Sequence, residues 1–360
     1  MDNGAYSFGA GLLRPVYDET FSSWLTRCAL HRRIISITEA DIEDRYSYIT
    51  HQGIFNTSSL GLEFDFNDDV TKSLLSNLNI NLGLAKSHFQ AKTSLLLHPA
   101  FRFAYCHQCA RTDVQAKRFI SWRKSWCYVG YVYCDTHKCL LSYIKNGDEV
   151  LKQWHAFAEG ELGEYTQGRV ASYHRRNHGI PPSRARGWLT LKVQKWINRL
   201  YTSPLCLASQ TRGNLNASDI LKAVHLTLSL LLTPRTESRV PGAALSIFTA
   251  AIPVIVHKDL DLQERLDHGA AHSVPYERMC ALLLLGIALN IFNSRELALL
   301  SNIVSDAEFS MPDSIGVAAL AAEHVHISEY EEFESMVHSS PLGAVFGLDF
   351  VTTMLHLPKR

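Results

Sequence analysis

Cysteine spacing constrains this chain more than any other feature. Cys106-His107-Gln108-Cys109 is a C-x-x-C knuckle, and after twenty-four intervening residues Cys134-Asp135-Thr136-His137 is a C-x-x-H knuckle. Two residues between ligands let one tight turn aim both side chains at a single ion, while backbone amides hydrogen-bond the sulfurs. Two such knuckles complete a tetrahedral Cys3His set (Cys106, Cys109, Cys134, His137), which is what structural zinc takes. With no open coordination position, one zinc ion per chain is expected to hold a fold together rather than activate water. His107, Cys127 and Cys139 are the neighbouring candidates should one ligand be replaced. The isolated Cys28, Cys206 and Cys280 read as small buried hydrophobes, and Cys127, inside an aromatic run, reads the same way. A redox C-x-x-C fits poorly, because no βαβ pattern surrounds it and the second knuckle would go unexplained.

Eight cysteines in 360 residues are too sparse for a disulfide scaffold. The opening residues lack the basic flank and apolar core of an export signal, so a reducing, cytoplasmic setting is expected. The longest apolar stretches, Ala243–Val256 and Ala281–Leu289, fall short of a bilayer span.

Hydrophobic periodicity gives a mainly α fold. Phe21, Trp24, Leu25 and Cys28 recur at i, i+3, i+4, i+7, which predicts an amphipathic helix capped by Asp18 or Thr20. Ser36–Glu39 matches a capping box opening a second helix, and residues 51–68 read as a polar loop. From Asp68 to Thr93 the pattern is a helix pair around a turn at Asn79–Gly83, which suits a helix-turn-helix. Lys86, His88 and Lys92 on its second helix are then candidate nucleic-acid contacts. Residues 100–145 turn aromatic and β-branched, which predicts short strands in a zinc-ribbon-like module, with a strand pair or hairpin in the 110–133 spacer. Helical patterning returns after Val150: Gly187–Tyr201, Asn216–Leu232, and the all-round apolar Tyr276–Phe292 of a core helix. The resulting division is an N-terminal helical domain (1–99), a zinc module (100–145) and a C-terminal helical domain (146–360).

Charge is balanced overall, 35 Lys+Arg against 35 Asp+Glu, but unevenly spread. Between Gln167 and Asn216 there are nine basic residues and no acidic one, whereas Ser301–Leu357 holds nine acidic residues and no Lys or Arg. Such asymmetry points to a polyanion or acidic partner meeting the middle of the chain and a basic partner meeting the end, against a plain alternative of two solvated faces. Arg169, Arg175, Arg176, Arg184, Arg186, Lys192 and Lys195 are the candidate contacts there.

The opening Arg14-Pro15-Val16-Tyr17-Asp18-Glu19-Thr20-Phe21-Ser22-Ser23-Trp24-Leu25-Thr26-Arg27 resembles the "RP-x-x-DES-x-x-SWL-x-R" start of the TniQ/TnsD family. Tyr105-Cys106-His107-Gln108-Cys109, Trp122-Arg123, Trp126 and Tyr133-Cys134-Asp135-Thr136-His137-Lys138-Cys139-Leu140-Leu141 resemble the family's zinc segment, "YCP-x-C … W … CP-x-H-x-x-x-L". The motifs cover residues 14–141. His107 and Asp135 stand where proline is usual, and no further paired cysteines follow Cys139, so the chain resembles the short, single-zinc members. The resemblance implies target selection for a heteromeric cut-and-paste transposon in a bacterial cytoplasm. A non-catalytic adaptor, typically a homodimer, would link a DNA-targeting device (an RNA-guided CRISPR Cascade with its guide RNA, or direct DNA binding) to the AAA+ transposition regulator (TnsC). Arg14, Glu19 and Arg27 lie off the apolar stripe of the first helix, and eight residues separate Glu19 from Arg27, too many for an i,i+4 pair. Packing or partner contact could account for this opening; at least one of Glu19 and Arg27 is expected to contact a partner, the AAA+ regulator ahead of Cascade, with Arg14 a further candidate.

No G-x-x-x-x-G-K-[ST], H-E-x-x-H or G-x-S-x-G motif is present, so nothing points to an enzyme. The alternative reading is a stand-alone zinc-containing helix-turn-helix regulator that reads its own site.

Overall fold

A computed structural model describes residues 12–30, 61–92, 95–144, 152–162, 184–202, 215–233, 244, 261–301, 311–323 and 325–356. It divides into two compact units, the first formed by Met1–Tyr128 with Leu141–Thr166, the second by Val129–Leu140 with Gln167–Arg360. The helix expected at Ser36–Glu39 lies outside the described residues.

In the first unit, α1 (Phe21–Leu30) buries the predicted stripe: Phe21, Trp24 and Cys28 are fully enclosed and Leu25 nearly so. Thr20 Oγ1 accepts a hydrogen bond from the Ser23 amide and starts the helix. A helical turn, α2 (Gly61–Phe64), falls within the stretch that reads as a polar loop, because Glu63 finds buried cationic partners there. The helix pair forms as α3 (Asp69–Asn77) and α4 (Leu82–Phe89), capped by Asp68 and Asn81, whose side chains accept from Thr71 and Leu84 amides. Asn79 supplies the left-handed residue (φ 53°) that reverses the chain between them. Phe66, Leu74, Leu75, Ile80, Ala85 and Phe89 close a core over α1, with the Phe21 ring 5.3 Å from Phe89 and 5.4 Å from Phe66.

Residues 100–145 hold less strand than their composition suggests. β1 (Ala104–Tyr105) and β2 (Ser142–Tyr143) pair antiparallel, Ala104 opposite Tyr143, and form a two-stranded sheet. The first quarter of the spacer is helix instead, within α5 (His107–Gln115), because Cys106 Sγ accepts from the Cys109 amide as an N-cap, so the knuckle turn runs on into a helical one. The aromatic residues are spent on packing: Trp122 lies 5.5 Å from Trp126, edge to face, and 6.0 Å from Tyr105. The unit closes with α6 (Lys152–Leu162).

In the second unit follow α7 (Arg184–Thr202), α8 (Ala217–Leu232), α9 (Leu262–His272), α10 (Pro275–Ala288), α11 (Ser294–Ser301), α12 (Ser314–Ala322), α13 (Tyr330–Ser339), α14 (Leu342–Phe346) and α15 (Leu348–His356). The centre is α10, buried all round as its sequence requires, with α7, α8 and α12 packed on it. At Gly286 a Cβ would lie 2.5 Å from the Phe292 ring and 2.7 Å from Val193, so only glycine lets α7 approach this closely. No described helix is long and apolar enough to cross a membrane.

Candidate metal centre and the network beneath the N-terminal motif

Cys106, Cys109, Cys134 and His137 each offer one ligand atom, and the four atoms lie within 4.8 Å of one another. His137 Nδ1 stands 3.5 Å from Cys134 Sγ. In a tetrahedral zinc site the corresponding edge is roughly 3.6 Å, from usual Zn–S and Zn–N lengths. The Cys109 amide points at Cys106 Sγ (3.4 Å) and the His137 amide at Cys134 Sγ (3.5 Å), the bonds that stabilise thiolates in such knuckles. Donor chemistry and backbone geometry therefore fit a metal ion. Cys28, Cys127 and Cys280 are not among the four clustered ligands. Burial pushes Cys28 up to about 11, Cys280 up to about 12 and Cys127 further still, so all three remain protonated hydrophobes. Cys206 lies outside the described residues.

A second anchor holds the C-x-x-H knuckle, and its sequence signal is only a glutamine on a helix. Gln194 of α7 is fully buried and faces the chain at Val132–Asp135. Its Oε1 accepts from the Val132 and Tyr133 amides (2.9 and 3.1 Å), and its Nε2 donates to the Tyr133 carbonyl at 2.8 Å and to Asp135 Oδ1 at 3.3 Å. Both faces of one amide are used, which neither a carboxylate nor an aliphatic side chain could reproduce. The knuckle closes on itself as the Cys134 amide donates to the Cys139 carbonyl and the Lys138 amide to the Cys134 carbonyl.

The N-terminal motif proves to be internal. Glu19 and Arg27, expected on an exposed edge and too far apart to pair, are both buried and bonded to each other: Arg27 Nε reaches Oε1 at 2.7 Å and Nη2 reaches Oε2 at 2.8 Å. The separation argument fails because Glu19 precedes the helix, which begins at Phe21, so helical spacing does not apply to it. A turn in which the Glu19 amide bonds the Val16 carbonyl, with Asp18 left-handed (φ 62°), swings the carboxylate back over the first turn of α1. Glu19 also accepts from the Val16 amide and Ser23 Oγ, both at 2.9 Å. Ser23 Oγ in turn accepts from the Trp122 amide and Gln153 Nε2 at 2.8 and 2.7 Å. Asp18 Oδ2 accepts from Ser125, and Trp24 donates its indole N–H to the Leu13 carbonyl. The opening motif thus ties α1 to the Trp122–Ser125 stretch of the same unit. Arg14 remains exposed; its carbonyl accepts from Arg27.

Beside it, Glu63 is wholly buried between Arg102 Nη1 (2.8 Å) and Lys152 Nζ (2.5 Å). Burial alone would raise its carboxyl, but Lys152 and Arg102 prevail and hold it below its ordinary value. Lys152 also lies over the Trp122 ring, 5.0 Å from the centroid. None of the three residues stands out in the sequence.

The basic candidates divide. Lys86 bonds Asn67 Oδ1 and His88 is exposed in the last turn of α4, while Lys92, expected on that helix, is exposed beyond its end, because Gln90 caps it. In helix-turn-helix readers the start of the second helix meets the bases, and the first turn of α4 carries no cation. Arg186, expected on a contact surface, is instead buried and donates to Tyr276 Oη at 2.9 Å, because it shares the inward face of α7 with Thr190, Val193 and Ile197. Lys192 pairs with Glu296 of α11 at 2.6 Å. Lys195 is exposed. Arg169, Arg175 and Arg176, and the side chain of Arg184, lie outside the described residues.

No curated protein and no solved structure matches the chain. The TniQ family model matches residues 12–141, a span that takes in the Glu19–Arg27 turn and all four ligands. Residues 12–141 are therefore a TniQ domain, the domain of transposition-associated target-selection proteins.

Proposed function

We propose that the protein is a non-catalytic target-selection adaptor of a heteromeric cut-and-paste transposon. It joins a DNA-targeting complex, an RNA-guided Cascade, to the AAA+ regulator that recruits the transposase, and it carries one structural zinc ion on Cys106, Cys109, Cys134 and His137. The observation that carries this reading is the TniQ domain itself, with both knuckles and the Arg14–Arg27 opening in one match. Zinc supplies fold stability there, since a closed Cys3His set leaves no position for substrate. The chain's own residues do the rest: Cys106 caps α5, and Gln194 fixes the turn that presents Cys134 and His137.

Affinity capture of the tagged protein from its native host tests the reading. Cascade subunits with guide RNA, or the AAA+ regulator, should co-purify. Capture of neither, together with salt-sensitive, sequence-specific duplex binding by the isolated chain, would instead establish the stand-alone regulator.

A further inference from the structure

The second unit buries one broad face of α7. Leu189, Val193, Ile197 and Leu200 are buried. On the opposite side Trp188, Lys192, Lys195 and Arg199 recur at i, i+4, i+7 and i+11, a single stripe. Lys192 is committed to Glu296. Lys195 and Arg199 are exposed, and among the described residues neither is in an ion pair. Trp188 is 53% exposed, an unusual setting for the largest apolar side chain. No acidic residue occurs anywhere between Gln167 and Asn216.

From this juxtaposition we infer that the outer face of α7 binds single-stranded nucleic acid, Trp188 stacking on an unpaired base while Lys195 and Arg199 neutralise phosphates of the same strand. Lys195 and Arg199 stand one turn apart, about 6 Å along the axis, and Trp188 about 10 Å from Lys195 toward the helix start. The cations alone would serve an acidic protein or a duplex equally well. The indole decides between them, because its flat face gains most from a base that is not already stacked in a duplex. The inference stands independently of the adaptor reading, since it concerns what this helix binds and not what the protein recruits.

The full-length protein is titrated by fluorescence anisotropy against labelled oligo(dT) roughly 20 nucleotides long, beyond the usual site size, and against a duplex of equal length, at several salt concentrations. The single strand should bind more tightly than the duplex. Trp188→Ala should weaken strand binding about 5- to 150-fold, the effect of one stacked base, and Trp188→Phe should restore most of it. The double variant Lys195→Gln/Arg199→Gln should flatten the slope of log affinity against log salt by about 1.4, two phosphate contacts at 0.7 each. Melting temperatures should not move, because these side chains are outside the core. Several outcomes overturn the inference: no strand binding by the native protein, equal binding by all variants, duplex binding indifferent to Trp188→Ala, or losses that merely track melting temperature. Binding of poly-glutamate through Lys195 and Arg199 in place of oligo(dT) also overturns it, and assigns the face to an acidic protein.

Discussion

Replacing Arg27 by methionine would leave the Glu19 carboxylate buried with only the Val16 amide and Ser23 hydroxyl for partners. The change removes two charge-assisted hydrogen bonds at 2.7 and 2.8 Å, as well as the bond to the Arg14 carbonyl. Each bond to a charged group is worth about 1.5–3 kcal/mol, and stripping one partner from a buried ion pair costs about 3–5 kcal/mol, so the two routes agree. For a unit of about 150 residues this lowers Tm by roughly 6–20 °C. Trp24, packed 5.3 Å from Phe89, reports the transition by fluorescence. The double variant Glu19→Leu/Arg27→Met should recover much of the loss, because no uncompensated charge remains. Partner capture should decline only in proportion to the unfolded fraction. A single variant that melts like the native protein yet loses capture would refute the assignment of these residues to the fold.

Purified protein should hold about one zinc per chain, and Cys106→Ser should lower metal content and melt early, because structural zinc contributes folding free energy directly; two zincs per chain, or full occupancy in Cys134→Ser, would break the ligand set. Gln194→Leu should cost about 2–4 kcal/mol by leaving two amides and a carbonyl unpaired, and should speed zinc loss to a chelator, whereas unchanged release would separate the amide from the knuckle. Glu63, with its folded pKa lowered below the unfolded value near 4.5, contributes stability that is complete above that value and is lost as pH falls through the lowered one; urea melts between about pH 5 and 2 should therefore show a steeper acid decline in the native protein than in Glu63→Gln, and identical slopes would contradict it.

Apolar residues were legible because periodicity carries their burial. Phe21, Trp24, Leu25 and Cys28 occupy the face that their spacing requires, and α10 is buried on every side. The ligand knuckles announced themselves because metal geometry limits how far apart donors sit along a chain. Buried polar pairs gave no such signal. Glu63, Arg102 and Lys152 look like solvated charges until three distant segments meet, and Gln194 looks like any helical glutamine. Glu19 and Arg27 misled for a related reason: one residue left outside a helix changes which neighbours it reaches. In the 100–145 stretch, bulky aromatic residues suggested strands, whereas tertiary packing of Trp122 and Trp126 needed little sheet.

The first unit is assembled from a chain that leaves and returns. Ser23 and Glu63 emerge early in synthesis, yet their partners Gln153 and Lys152 follow only after the second knuckle has been made. On the ribosome, the N-terminal helices therefore wait with Ser23 and Glu63 each one partner short, and cannot reach their final stability until α6 is exposed. The same order sets a boundary for protein engineering. An expression fragment cut at residue 141, where the family match stops, keeps every recognisable motif but discards the lysine and glutamine that complete the core beneath them. A cut beyond Leu162, at the end of α6, keeps both.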